Sequence, residues 1–203
     1  MAEYTSRSFD LLTLGQLLLR LSPPDNDRLS RGDTFVKQVG GAELNVAVGA
    51  SLLGLRTGVI SKLPSHDIGS FMKGKIRSFG VSDDFFMYDD SPSARVGIYY
   101  YENGAYPRKP KVIYDRMNSS FFSLNIDEIP KEVYTASKCF HTTGITLALS
   151  PQIRETTIEM IKRFKEAGTL VSFDVNFRGN LWSGDEAREC ILKILPYVDI
   201  FFC

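Results

Sequence analysis

The chain is poor in the side chains that carry most enzymatic chemistry. Its 203 residues include two histidines, three cysteines and one tryptophan. Cys139, Cys190 and Cys203 form no C-x-x-C pair and no zinc spacing, so neither a disulfide framework nor a cysteine-built metal site is expected. An odd, scattered count suits a reducing cytoplasm, and the expected location is cytoplasmic. His66 and His141 stand at no triad spacing from a nucleophile or base, and no H-E-x-x-H is present; both read as core or loop histidines and no metal ligand set is expected. Neither sign of charge dominates, since Lys+Arg and Asp+Glu number 24 each. That argues against nucleic-acid binding by bulk charge. The apolar run LLTLGQLLLRL (Leu11 to Leu21) is broken by Gln16 and Arg20 and is too short to span a bilayer. Finally, the sequence holds neither G-x-x-x-x-G-K-[ST] nor G-x-G-x-x-G, the two common glycine-rich phosphate loops.

What is present is ordinary globular material, 43% hydrophobic with 14 Phe and 9 Tyr, aromatics that disordered chains lack. Phe9 to Leu14 and Leu17 to Leu21 read as strands, Ser22 to Asp33 as turns, and Thr34 to Val39 as a further strand. Ala42 to Leu53 has a helical face at Leu44, Ala47, Val48, Ser51/Leu52 and Leu55, ended by Gly54. The spacing then predicts a strand over 57–61, a helix over 68–79 closed by Gly80, and a strand over 85–88. Ala94 to Arg116 reads as a hairpin with a long basic tip around Asn103-Gly104, Pro107 and Pro110. Beyond it come a short helix over 131–136, a strand over 138–141 and a helix over 151–167. A strand over 170–174, a helix over 185–194 and a strand over 199–203 complete the pattern. Strands alternating with helices predict an α/β fold with a mostly parallel sheet. The early strands and the hairpin, about 17–39 and 94–117, would form a small separate β layer. The chain stops inside the apolar strand Ile200-Phe201-Phe202-Cys203, and the expectation is a sequence cut short.

Four groups could carry chemistry. Gly40-Gly41 opens a helix: its backbone N–H groups could meet a ligand, or the pair could simply permit a tight turn. Asn45 lies one turn on among apolar residues, and could bond a ligand or a nearby loop. In the hairpin, Tyr99 faces with Tyr101 and Tyr114 with Arg116. A phenol and a guanidinium on one face suit a hydroxylated acid; a surface tyrosine stripe beside a solvated arginine is the other reading, which spacing alone favours. In FDVNFR (Phe173 to Arg178), period two would put Asp174, Asn176 and Arg178 on one face at a strand's carboxyl end, where open α/β sheets bind ligands.

These segments, in order, resemble the ribokinase-like (PfkB) carbohydrate kinases, and most of all their 2-keto-3-deoxygluconate kinase branch. The matching stretches are LGQLLLRLSPP (Leu14 to Pro24), VGGAELNVAVGASLLGL (Val39 to Leu55), SKLPSHDIG (Ser61 to Gly69), RVGIYYYENG (Arg95 to Gly104), KVIYDRMNS (Lys111 to Ser119), TTGITLALS (Thr142 to Ser150) and FDVNFRGNLW (Phe173 to Trp182). The resemblance implies a Rossmann-like α/β core with a small β-sheet lid. It also implies transfer of the ATP γ-phosphoryl group to a sugar hydroxyl with Mg²⁺. Carried across, Gly40, Gly41 and Asn45 would hold sugar oxygens, Tyr99 and Tyr114 would touch the sugar, Arg116 would bind a substrate carboxylate and Ile145 would line the pocket. Arg178 would meet the transferring phosphate, with Asn176 near phosphate and metal. Three residues depart from the family pattern: Gln16 for Glu, Glu43 for a small residue or Pro, and Pro64 for a Gly in what reads as a loop. Glu43 matches the ketodeoxygluconate branch.

The family's later G-A-G-D motif, with its catalytic base, is not in this sequence. The resemblance therefore covers roughly the first two thirds of such a kinase, and most of the nucleotide site would lie beyond residue 203. The 203-residue chain is expected to lack appreciable kinase activity and to be marginally soluble. A neutral-sugar kinase (fructose), a 5-dehydro-2-deoxygluconate kinase, and a non-catalytic sugar-binding or dimerising fragment are the alternatives. A homodimer through the lid is a further expectation.

Overall fold

The computed structural model describes residues 6–203. Strands β1 (Phe9–Leu14), β2 (Leu18–Ser22) and β3 (Val36–Gly40) precede helix α1 (Ala42–Leu52). Next come β4 (Thr57–Pro64), α2 (Asp67–Arg77), β5 (Val81–Ser82), β6 (Phe86–Asp89) and the hairpin β7 (Gly97–Glu102) and β8 (Lys111–Asp115). The rest comprises α3 (Val133–Ala136), β9 (Ser137–Thr143), α4 (Gly144–Ala148), α5 (Pro151–Glu166), β10 (Leu170–Asp174), α6 (Gly184–Ile194) and β11 (Ile200–Phe202).

Two sheets result. The larger runs β11-β10-β9-β1-β4-β5, with β6 also on β4, and every pairing is parallel. A parallel sheet is covered on both faces, so its inner strands must be apolar throughout. The sequence largely obeys: Leu12 and Leu14 in central β1 are fully buried, as are Val59 and Ile60 in β4, with Thr13 the buried polar exception. The smaller sheet runs β3-β2-β7-β8, antiparallel at both ends and parallel between β2 and β7.

One core cluster joins Leu12, Phe140, Val171 and Phe173 of the large sheet to Met160, Ile161 and Phe164 of α5. The other joins Val59 and Leu63 to Leu44 and Ala47 of α1 and to Met72 and Ile76 of α2. Leu17 and Leu19 belong to this second core, with Leu21, Val39 and Ile98 packed against it. The small sheet is thus anchored by its apolar face. Alternation along a strand then turns Leu18, Arg20 and Ser22 to the opposite face.

Most expected elements are present, and the differences have local causes. The strand expected to end at Ser61 continues to Pro64, because Ser61–Pro64 pairs with Phe86–Asp89 of β6. Pro64 therefore lies in a buried strand end and not in a loop. Two short elements, β5 and α4, were not expected. On α1, Leu44 and Ala47 are buried as expected, but Leu52 and Leu55 are 75% and 47% exposed, since no described element covers the last turn. Helix α5 starts at a Ser150 cap with Pro151 in its first turn and ends before Gly168, whose φ of 72° suits glycine.

Candidate functional site

Three strands of the large sheet run out on the same side, at their carboxyl ends, the usual ligand edge of an open α/β sheet. β1 leads into Gly15 and Gln16, β9 into Gly144 and Ile145, and β10 into the loop that carries Arg178. The polar face of the small sheet stands over them. Between the two lies a cavity of about 300 Å³, whose polar walls include Gln16, Arg20, Asn45, Tyr99, Arg116 and Arg178.

Register builds the upper wall. Arg20 of β2 pairs with Tyr99 of β7, and Tyr99 pairs with Tyr114 of β8. Paired residues share a face, so these three side chains form one row across the sheet. The rings of Tyr99 and Tyr114 lie 5.9 Å apart. Burial pushes the Tyr99 phenol above its ordinary value, so it stays protonated at neutral pH and can donate to a ligand oxygen.

The lower wall depends on glycine. Gly41 is the N-cap of α1 with φ 154°, and a β-carbon there would lie 2.9 Å from the Gln16 carbonyl oxygen. Gly41, Ala42 and Asn45 face the cavity at the helix N-terminus. Gly40 is buried and is not part of the wall; a β-carbon on it would lie 2.6 Å from the Tyr99 hydroxyl, so its bareness leaves room for that ring. Asn45 is exposed, so its amide needs no internal partner.

The buried polar group of this turn is instead Glu43, at 2% exposure. Its Oε1 accepts from the hydroxyls of Thr143 at 2.6 Å and Thr146 at 2.7 Å. A β-carbon on Gly15 would collide with its Oε2. Burial pushes the carboxyl above its ordinary value, opposed by the two threonine bonds and the Arg116 charge. Glu43 is the one carboxylate among the described residues lining the cavity, and its Oε1 is already engaged.

Arg116 follows β8 and is held by Gln16. Its Nε donates to Gln16 Oε1 at 2.8 Å. Gln16 Nε2 in turn donates to the Arg116 carbonyl at 2.9 Å and to Ser119 Oγ at 2.7 Å. Gly97 makes space for this, because a β-carbon there would be 2.9 Å from Gln16 Nε2. No carboxylate of the described residues forms an ion pair with Arg116. Its guanidinium lies 5.7 Å from the centre of the Tyr114 ring.

Arg178 lies on the exposed loop after β10. It also lines an adjoining hollow of about 230 Å³, together with Tyr114, Arg116, Ile145 and Asn180. The alternation expected for Asp174, Asn176 and Arg178 does not extend that far. β10 ends at Asp174, whose Oδ1 accepts from the Asn176 backbone N–H at 3.0 Å, and Asn176 turns to φ 37°. Asn176 is half-buried and outside the cavity wall.

His141 bonds Ser172 through Nδ1 at 2.9 Å inside the sheet, away from the cavity, and burial holds its pKa down. His66 caps α2. Cys139 is pushed up to about 11 by burial, leaving no thiolate at neutral pH. Among the described residues, no three His, Cys, Asp or Glu side chains converge as a metal site.

With this geometry, residues 8–203 match the model of the pfkB family carbohydrate kinases. The chain belongs to the pfkB family. It is 39% identical over 191 residues to a 2-dehydro-3-deoxygalactonokinase of Haloferax volcanii, covering 94% of this chain and 59% of that one. Among solved structures, a 2-dehydro-3-deoxygluconokinase of Thermotoga maritima superposes with a TM-score of 0.89 at 34% identity, covering 95% of this chain and 59% of that one. A sugar kinase of Pyrococcus horikoshii in complex with ATP superposes with a TM-score of 0.81 at 26% identity, covering 94% and 62%. The chain therefore spans about three fifths of the length of these relatives.

Of the residues the pfkB resemblance marks, Gly41, Asn45, Tyr99, Tyr114, Arg116, Ile145 and Arg178 surround one cavity; Gly40 packs behind the Tyr99 ring, and Asn176 is not among the lining residues. Sequence reading passed over Arg20, taken only as a polar break in an apolar run. Gln16 figures there as a second break in that run and as a departure from the pfkB pattern, with no role assigned at the site. The signal for Arg20 was its alternation with Leu19 and Leu21, which places it on the opposite face from the core.

Proposed function

We propose that this chain provides the acceptor-binding half of an ATP-dependent kinase that phosphorylates a hydroxyl of a keto sugar acid of the 2-keto-3-deoxygluconate type. The observation that carries this reading is Arg116: a half-buried cation at the cavity, fixed through Nε by a neutral amide. A guanidinium so held offers its remaining N–H groups to a carboxylate. In this reading Arg116 takes the acid, and the phenols of Tyr99 and Tyr114 meet hydroxyls. The Gly41–Asn45 turn offers donors at a helix N-terminus, and Ile145 closes the apolar side. Arg178, on the strand-end side, steadies the charge of the transferring phosphoryl group, with Asn176 behind it. Gly40 supports the site by leaving room for Tyr99.

ATP is the phosphoryl donor in this reading, as for the family. Arg178 fits one end of such a donor. Among the described residues no group of three His, Cys, Asp or Glu side chains could hold Mg²⁺. The reading extends to a homodimer joined through the small sheet, whose edge strand β8 carries exposed Val112 and Ile113; sedimentation showing only monomer would count against that part.

Titration calorimetry with 2-keto-3-deoxygluconate and with fructose tests the acceptor class. Arg116→Ala should weaken binding of the acid by about tenfold or more, as loss of a charge-assisted bond does, and leave fructose within about threefold. Tighter binding of fructose than of the acid by the unaltered chain would favour a neutral-sugar kinase.

A further inference from the structure

Two arginines of the small sheet face the cavity, and they are mounted alike. Arg116 is held through Nε by the Gln16 side-chain oxygen at 2.8 Å. Arg20 is held through Nε by the Ser22 hydroxyl at 2.9 Å. Each lies over a tyrosine ring: Arg116 at 5.7 Å from the centre of Tyr114, Arg20 at 4.3 Å from the centre of Tyr101. In both cases the anchor is neutral. No carboxylate among the described residues pairs with either one. An arginine anchored by Nε on a neutral oxygen and lying over a ring holds its terminal N–H groups in a fixed plane. Surface arginines usually wander, and structural arginines usually find a carboxylate; Arg20 does neither.

The placement is equally specific. Arg20, Tyr99 and Tyr114 occupy one row of the sheet. Neighbouring strands lie roughly 4.8 Å apart. Arg20 and Tyr114 are two strands apart, so their backbones are separated by about 10 Å. Arg116 lies two residues beyond Tyr114 along the chain. A cavity of about 300 Å³ between them accommodates a six-carbon acid reaching from one guanidinium toward the other.

We infer that Arg20 is a second acceptor-binding cation, and that a sugar acid is held between Arg20 and Arg116. Arg20 sets the preference for an acid over a neutral sugar jointly with Arg116. The inference rests on the acceptor class proposed above.

Calorimetry on the 203-residue chain, with Arg20→Gln, Arg20→Lys and Arg116→Gln, tests it against 2-keto-3-deoxygluconate and fructose at two salt concentrations. Arg20→Gln should weaken the acid by about tenfold and fructose by less than about twofold. It should also flatten the salt dependence of acid binding, because one charge contact is gone. Arg20→Lys keeps the charge without the planar fork, and should recover part of the loss. Thermal melts of each variant check that the fold is retained. Acid binding unchanged in Arg20→Gln overturns the inference. So does an equal loss for acid and fructose, which would make Arg20 a support of the small sheet. If Arg116→Gln abolishes the preference for acid while Arg20→Gln leaves it intact, only Arg20's role falls. If the unaltered chain prefers fructose, the acceptor class falls and this inference with it.

Discussion

Glu43 shows how much a single side chain can organise at a cavity wall. It ties α1, through Oε1, to Thr143 at the end of β9 and to Thr146 in α4. Those bonds serve a protonated carboxyl or an amide as well as an ion, whereas burial penalises the ion alone. The folded-state pKa is raised from the ordinary 4.5. The sign follows from linkage. Well below 4.5 the group is protonated in both states, and its contribution is fully present. As pH rises past 4.5 the unfolded chain loses the proton first, so stability falls until pH passes the raised folded value. Glu43→Gln removes the ionisation and keeps an oxygen for the two hydroxyls. Urea unfolding across pH should show the Gln variant gaining on the unaltered chain as pH rises from 4.5, and a pH-independent difference would mean that Glu43 titrates normally. Asp10 works in the opposite sense. The Lys138 hydrogen bond, aided by the Arg56 backbone, lowers it to about 2. Its contribution is present above 3.8 and lost as pH falls toward 2, and Asp10→Asn should flatten that acid limb of the same curves.

At the scale of elements, the site is a product of alternation and of strand ends. The small sheet puts Leu19, Val39 and Ile98 into the second core and so must put Arg20, Tyr99 and Tyr114 on the cavity side. Period two in the sequence pairs Tyr99 with Tyr101 and Tyr114 with Arg116, but which face meets the cavity, and that Arg20 joins that row, come from the register of the sheet. β1 and β10 have the bounds that their apolar runs suggest. What was not legible came from contacts between distant segments. The extension of β4 depends on β6, and the sheltering of Arg116 by Gln16 spans a hundred residues of chain. The period-two reading of Asn176 and Arg178 failed because the Asp174 carboxylate closes a turn at once. The loop from there ends where α6 begins, and α6 begins on a capping box: Ser183 Oγ accepts from the Glu186 N–H, and the Glu186 side chain accepts from the Ser183 N–H. Such a cap contributes about 1 kcal/mol. Ser183→Ala should lower unfolding free energy by about that amount, read by urea denaturation. A loss below a few tenths would mean that packing of Ala187, Cys190 and Ile194 alone fixes the helix start.

Across the whole molecule, the parallel sheet has its best-covered strand, β1, near the middle and β11 at one edge. β11 pairs only with β10, through Ser172, Phe173 and Asp174, and its other side is open among the described residues. Ile200, Phe201 and Phe202 are 40%, 42% and 54% exposed. An open, apolar strand edge is a template for another strand, and charge on such an edge is the usual protection. β11 carries none. The 203-residue chain is therefore expected to associate through this edge as concentration rises. Phe201 stacks on Phe173 at 6.1 Å and supports the core, so it is the wrong residue to change. Phe202 is the most exposed of the three, and Phe202→Lys should shift the light-scattering mass toward monomer with little change in melting temperature. The same measurement separates the two possible associations. A dimer through the small sheet would survive Phe202→Lys and yield to a charge at Val112 on β8. An unaltered chain that stays monomeric at every concentration would dispose of both.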